Sequence, residues 1–477
     1  MSARPARSAA LWAVLALALI LRLGRGILRW DEIALAYAAY QQPWVDAAAA
    51  GDPVGIFTTF TGLHPPLYSA LFGLVGWVWG APAGWLLLSV GASLAAVALV
   101  GRSYGAVAAL VLAVDPLQLA YCAEVNNYPL LVAMVAGCLA ARRHLAEGGS
   151  WVPLAVVGIL AGWTHLLGGA FAGMCALSLG LARPRATLSV LGAMAVGTAP
   201  VVWRALGLAG DEGTYGQPGL ELGVVLAGLV DKVGEGWLLV WALALFGSLW
   251  RRAEGALYLG ALGLIGLSLA LGVAAPHQQP YWLLLGPLQA ALVGAYPRVV
   301  GALAALLGLS LVHEDLDRLR ALRADQSRPR AIDAALAASQ PGDALWLLAP
   351  GLEPDDDKRA FSTVLWRFNP LESAPPWRGD GGLSFEYTDY WYGQPRWLGG
   401  RIVHTSTFLE QSQFQQIIDA HLAAGRRVQL VLYDHGPADD YPGLVERSLQ
   451  PYRHRCARVG EDVGLGTDLL CVVEARE

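Results

Sequence analysis

Two adjacent carboxylates, Asp31 and Glu32, follow the first long apolar run of this chain, SAALWAVLALALIL at residues 8–21. Acids at the mouth of a membrane helix are costly to keep near lipid, so they mark a candidate functional site. They could act as a general base or as cation-binding carboxylates at the lipid boundary. The alternative is a solvated helix start, where the macrodipole favours acids. Arg22, Arg25 and Arg29 lead up to the pair at i, i+3 and i+7, and so share one helix face. Guanidinium forks match phosphate oxygens bidentately. Long basic side chains also snorkel to an interface with no ligand at all.

Three further polar patches interrupt apolar sequence. His64-Pro65-Pro66-Leu67-Tyr68 enters the next apolar run, and its prolines fix His64 at the membrane edge, where it could donate to a phosphate or ligate a metal. Tyr121-Cys122-Ala123-Glu124-Val125-Asn126-Asn127-Tyr128-Pro129 places a carboxylate and two amides between apolar segments. Such groups need partners or water, and they suit sugar hydroxyls or a pyrophosphate-like ligand as well as a capped turn. Trp163-Thr164-His165 sets a histidine inside an apolar segment, where a core role competes with a binding one. His277-Gln278-Gln279-Pro280-Tyr281-Trp282 caps the last apolar runs.

The elements that must hold these residues are membrane helices. The chain has 477 residues, 55% hydrophobic and 15% charged, with a mean hydropathy of +0.45. That composition belongs to a polytopic membrane protein. Apolar stretches recur from 8–28 to 281–312, and a full crossing needs about 20 residues, which predicts roughly ten to twelve spans. Some stretches, such as 67–80 and 220–231, are short, and Pro297-Arg298 is expected to split the last one. The N-terminal run has no small-residue cleavage site after it and reads as an uncleaved first span with its N-terminus inside. Basic residues at Arg142-Arg143, Arg183/Arg185 and Arg251-Arg252 place those turns in the cytoplasm, and 31–66, 207–219 and 276–280 opposite. The region near Glu124 should share that opposite face. Three apolar runs between His64 and Glu124 conflict with this, so 67–80 or 104–121 is expected not to be a simple crossing.

After Val312 the composition changes. Residues 1–312 hold 15 Lys/Arg and 13 Asp/Glu, whereas 313–477 hold 18 and 25. The tail is therefore acidic, which argues against nucleic acid as a partner. Strand-like runs at 344–349, 361–366, 401–405 and 428–433 alternate with helix-like runs at 331–339 and 409–424, as in a small α/β domain. Cys456 and Cys471 flank an expected hairpin and could form a disulfide in an oxidising compartment. Cys122, Cys138 and Cys175 lie in apolar runs, where cysteine packs as a small hydrophobe. Asp355-Asp356-Asp357 reads as a solvated acidic turn. Tyr387, Tyr390, Trp391, Tyr392 and Trp397 form an aromatic stretch that could stack on sugars or pack a loop.

Taken together, the ordered motifs resemble those of the GT-C superfamily of membrane glycosyltransferases, in the branch of protein O-mannosyltransferases, aminoarabinose transferases and Rgt-type lipopolysaccharide sugar transferases. The resemblance rests on Asp31-Glu32, His64-Pro65-Pro66-Leu67-Tyr68, Asp115-Pro116 with Glu124 and Tyr128, Thr164-His165, and Pro280-Tyr281 with Gly286-Pro287, over roughly residues 8–300. It implies a GT-C-like helical bundle at 1–312, with 31–66 as the first extracytoplasmic loop, and a soluble, extracytoplasmic α/β accessory domain at 313–477. The implied activity is inverting transfer of a sugar from a polyprenyl-phosphate carrier to a hydroxyl of an envelope acceptor, at the bacterial inner membrane. Asp31 would be the base, and His64 would contact the carrier phosphate. Glu124 would line the acceptor or sugar pocket, with Asn126, Tyr128 and His165 as further binding residues. Relatives often carry Arg two positions after that acid, where this chain has Asn126, so Arg22, Arg25, Arg29 or Arg204 would supply the missing charge. The resemblance fixes no cofactor, and a divalent cation on Asp31, Glu32 and His64 is compatible with the chemistry. A lipid-linked-glycan transporter, expected to show inverted repeats and helices broken at mid-membrane, and a non-catalytic envelope scaffold are the rival readings.

Overall fold

The computed structural model describes residues 3–25, 51–52, 65–79, 83–122, 126–211, 235–270, 279–324, 329–348, 396–398, 401–406, 411–432, 441–459 and 468–475. The chain divides into two compact units, one of Met1–Ile27, Asp52–Val75 and Ala83–Leu319, the other of Leu28–Gly51, Gly76–Pro82 and Arg320–Glu477.

The first unit is all helix among the described residues. Its elements are α1 (Ala3–Arg25), α2 (Leu67–Trp79), α3 (Ala83–Tyr104), α4 (Ala106–Ala113), α5 (Pro116–Tyr121), α6 (Tyr128–Ala146), α7 (Val152–Thr164), α8 (Leu166–Leu177) and α9 (Pro184–Asp211). They are followed by α10 (Leu238–Trp250), α11 (Arg252–Ala270), a 3-10 segment at Gln279–Leu285, α12 (Gly286–Val293) and α13 (Arg298–Ala324). Among the described residues, four helical windows are long and apolar enough to cross a membrane: Leu86–Tyr104, Tyr128–Ala146, Pro184–Leu206 and Arg252–Ala270. Shorter apolar helices accompany them. Trp12, Ile20, Leu188, Trp203, Leu249 and Leu306 all turn their side chains outward. In water this would be a sticky surface, but in a bilayer it is the lipid face.

The core is built from small and branched residues. The central helix α6 is buried along most of its length, and α3 and α7 pack on it. Leu131, Val135, Cys138 and Leu139 of α6 lie in one buried cluster with Val97 and Val100 of α3, Leu154 of α7 and Phe171 of α8. Small residues let these backbones approach closely, as association within lipid requires.

The run at 104–121 is not one straight helix. It breaks at Val114-Asp115, where Asp115 caps α5: its Oδ1 accepts from Leu117 N at 2.9 Å and Gln118 N at 3.2 Å. Pro116 follows at the first helical position, where its missing N–H has no cost. The eight-residue α4 rises about 12 Å, too little to cross a bilayer. The last apolar stretch is also divided, with Gly294–Pro297 separating α12 from α13.

The second unit is α/β. Helix α14 (Pro329–Ala338) precedes β1 (Ala344–Leu348), β2 (Arg396–Leu398), β3 (Arg401–Ser406), α15 (Gln411–Ala423), β4 (Val428–Leu432), α16 (Tyr441–Leu449), β5 (Arg453–Val459) and β6 (Asp468–Glu474). The sheet order is β2-β3-β1-β4-β6-β5. Strands β3, β1 and β4 are parallel, with Ala344 opposite both Ile402 and Val428, while β2, β6 and β5 pair antiparallel. Every residue of β1 and β4 is buried, as expected for central parallel strands covered on both faces. Trp346 and Phe414 pack at 4.9 Å between ring centroids in that core. Cys456 and Cys471 stand directly opposite on β5 and β6 and form a disulfide. The expected strand at 361–366 and the aromatic residues 387–392 lie outside the described residues.

Candidate functional site

Three separated motifs converge at one place in the helical unit. Tyr128 starts α6, His165 sits between α7 and α8, and Tyr281 lies in the 3-10 segment before α12. Their rings form a chain: Tyr121 to Tyr128 at 5.9 Å, Tyr128 to His165 at 6.2 Å, and His165 to Tyr281 at 5.9 Å. Tyr128 and His165 are buried, while Tyr121 and Tyr281 are half-exposed.

Local chemistry fixes each member. Asn126 Oδ1 accepts from Tyr128 N at 3.0 Å, which helps set the start of α6. Asn127 is buried, and its Nδ2 donates to the Thr164 carbonyl at 3.1 Å, tying that start to the end of α7. His165 has extended backbone and caps α8, its Nδ1 accepting from Leu167 N at 3.2 Å. That bond puts the proton of the neutral ring on Nε2, a donor suited to an oxygen ligand. Gln118 Nε2 donates to the Leu283 carbonyl at 3.2 Å and so holds the 3-10 segment that carries Tyr281. A Cβ at position 286 would crowd the end of the Gln118 side chain, so glycine there leaves that amide in place for this bond.

The spacing of the arginines makes Arg22 a candidate for a carrier phosphate, with interfacial snorkelling as the alternative, and the structure places it inside the bundle. Arg22 is 1% exposed and turned into the bundle. Its Nε donates to Ser93 Oγ at 2.7 Å, and Nη1 donates to the carbonyls of Ala18 at 3.3 Å and Ala113 at 3.2 Å. The guanidinium thus ties α1 to α3 and α4, with the fork already committed to protein acceptors. Of the other sequence-derived candidates, Asp31, Glu32, Arg29, His64 and Glu124 lie outside the described residues, as does the side chain of Arg25. Among the described residues, no group of three or more His, Cys, Asp or Glu side chains could hold a metal ion.

Two contributors are not marked by any motif. Gln118 is a lone amide in an apolar run, a signal visible only as a polar residue three positions after Asp115. Ser93 is one small residue among many in α3, and nothing local marks it as the acceptor of an arginine 71 positions away.

No protein-family model matches the sequence, and no curated protein matches it. Solved structures do. The crystal structure of ArnT from Cupriavidus metallidurans bound to undecaprenyl phosphate matches with a TM-score of 0.54 and 12% identity, covering 98% of each chain. The same protein in its apo state matches with a TM-score of 0.58, again at 12% identity and 98% of each chain. This chain shares that fold. At so low an identity the likeness is one of architecture, and it extends over both the helical and the α/β regions.

Proposed function

We propose that this protein is a membrane glycosyltransferase that moves a sugar from a polyprenyl-phosphate carrier to a hydroxyl of a cell-envelope acceptor. The observation that carries the reading is the fold likeness over 98% of both chains to a protein crystallised with undecaprenyl phosphate. The motif order supports it, as does the convergence of Tyr128, His165 and Tyr281 from three distant segments.

In this reading residues 1–312 are the catalytic membrane domain, and 313–477 an extracytoplasmic accessory domain. Asp31 takes the proton of the acceptor hydroxyl. The oxygen attacks the anomeric carbon from the face opposite the phosphate, and the carbon–oxygen bond to phosphate breaks. The electron pair leaves with the polyprenyl phosphate, and the anomeric configuration inverts. Phosphate is already a good leaving group, so catalysis is chiefly positioning, one base and cationic donors. His64, Arg25 and Arg29 are the proposed phosphate contacts. Glu32 orients Asp31 or shares a divalent cation with it and His64. Glu124 and Asn126 line the sugar or acceptor pocket, and His165 offers its Nε2 proton to a substrate oxygen. The Cys456–Cys471 disulfide supports an oxidising, extracytoplasmic location for the tail.

A lipid-linked-glycan transporter is the second reading. It is favoured by the helix break at Asp115 and the 3-10 segment bonded to it through Gln118, since transporters use discontinuous helices. Purified protein in liposomes, given a radiolabelled polyprenyl-phosphate sugar and a hydroxyl acceptor, separates the two. Label appearing covalently on acceptor supports transfer. Donor crossing the bilayer with its glycosyl-phosphate bond intact supports transport and overturns the first reading.

A further inference from the structure

The α/β unit carries a groove remote in sequence from the aromatic chain of the helical unit. It has a volume of about 400 Å³ and is lined by Gly443, Glu446, Arg447 and Gln450 of the α16 segment, together with His454 and Cys456 of β5. Its lining is polar and chemically mixed: a carboxylate, a guanidinium, a carboxamide and an imidazole line one opening.

The groove is rigidly framed. The disulfide ties β5 to β6, and Cys471 is buried in the core of the unit. Tyr452, just before β5, donates its hydroxyl to the Gln415 carbonyl of α15 at 3.1 Å. Gln415 Nε2 in turn donates to the Ser448 carbonyl of α16 at 3.5 Å. His454 Nδ1 lies 3.1 Å from the Tyr452 carbonyl, which can only accept, so the ring donates there and Nε2 is left as an acceptor in the neutral form. The backbone of both walls is therefore held before any ligand arrives.

The donor and acceptor set selects a ligand class. Glu446 supplies acceptors, Arg447 donors, and Gln450 both, each in a planar, two-point arrangement. Adjacent sugar hydroxyls are paired groups that both donate and accept, and planar bidentate side chains match them. The opposed charges of Glu446 and Arg447 weaken selection for an isolated ion of either sign. A phosphate or an acidic headgroup would meet a carboxylate in the same groove, and a cation would meet the guanidinium.

We propose that this groove binds an uncharged, polyhydroxylated glycan segment. It would hold the glycan part of an envelope acceptor. The acceptor role rests on the glycosyl-transfer reading, whereas glycan binding itself does not.

The test uses the full-length protein in lipid nanodiscs. Fluorescently labelled mannohexaose and N-acetylglucosamine hexamer serve as probes, with inorganic phosphate as competitor and anisotropy as readout. The expected result is saturable binding of at least one glycan, weakened tenfold or more in a Glu446→Gln/Gln450→Ala variant and unaffected by millimolar phosphate. Both residues are exposed, so the variant should fold normally. Absence of binding by both glycans, wild-type affinity in the variant, or full competition by phosphate would each overturn the proposal. Transfer from a polyprenyl-phosphate sugar to a short soluble hydroxyl acceptor is measured in parallel. If wild-type protein binds glycan but transfers no sugar, the catalytic reading fails while the groove stands. Active transfer without glycan binding removes the groove and leaves the catalytic reading in place.

Discussion

Replacing Arg22 with alanine should destabilise the helical unit while leaving donor recognition intact. Two acceptors from other helices, Ser93 Oγ and the Ala113 carbonyl, lose their donor. A buried polar group left without its partner costs about 1–3 kcal/mol. Ser93 can turn back to a carbonyl of its own helix, so its share falls at the low end. The arginine stem also leaves a void, at about 0.8 kcal/mol per buried methylene. Against these, removing a guanidinium held away from water recovers part of a desolvation penalty of several kcal/mol. The balance is a net loss of about 2–3 kcal/mol. For a unit of this size that corresponds to a fall in Tm of roughly 4–8 °C. Arg22→Lys keeps the charge, but its compact ammonium cannot reach both acceptors as the fork does, so it should lose about half as much. The assay is thermal unfolding in detergent, paired with donor KM measured well below the transition. Full wild-type Tm together with a donor KM raised tenfold would overturn this role, because it would make Arg22 a phosphate ligand rather than a tie between helices.

Further expectations concern both units. Burial, with Arg426 nearby as the lesser cause, pushes the His421 imidazole down from 6.5 to about 3. A depressed folded pKa means that this stabilisation is complete above about pH 6.5 and is lost as pH falls toward 3; at pH 5 the loss is about 2 kcal/mol. Hydrogen-exchange protection over residues 411–432 should therefore drop on going from pH 7 to pH 5, and a flat profile would count against it. Reducing the Cys456–Cys471 bond opens a loop with a sequence separation of 15. It should destabilise the α/β unit by about 3 kcal/mol, measurable as a lower urea midpoint with reductant. His165→Asn keeps an effective helix cap and removes the ring. Its Tm should stay within about 2 °C of wild type, while sugar transfer drops at least tenfold; unchanged transfer would remove His165 from the site.

Much of the architecture can be read in the residues. The apolar runs and the acidic, alternating tail point to a helical membrane region and an α/β sheet, because both patterns are set by local periodicity. Asp115-Pro116 is a local cap, and a break there is readable once the dipeptide is given its helix-start meaning. The site is only partly readable. Tyr128, His165 and Tyr281 each lie in a polar interruption, yet their meeting depends on how α6, α7 and the 3-10 segment pack. Arg22 shows the limit most clearly. Spacing alone puts it on the helix face shared with Arg25 and Arg29, and cannot tell whether that face meets phosphate or another helix. Its actual acceptors come from positions 71 and 91 residues onward, which no periodicity encodes.

Sugar transfer with Asp31 as base is open to a direct measurement. Wild-type protein and Asp31→Asn are compared in liposomes with a labelled polyprenyl-phosphate sugar and a hydroxyl acceptor, after matching the two for Tm. Robust transfer is expected from the wild type, with a loss of about a hundredfold or more in the variant, in keeping with the usual worth of a positioned general base. Equal transfer by a well-folded Asp31→Asn protein would rule out Asp31 as the base.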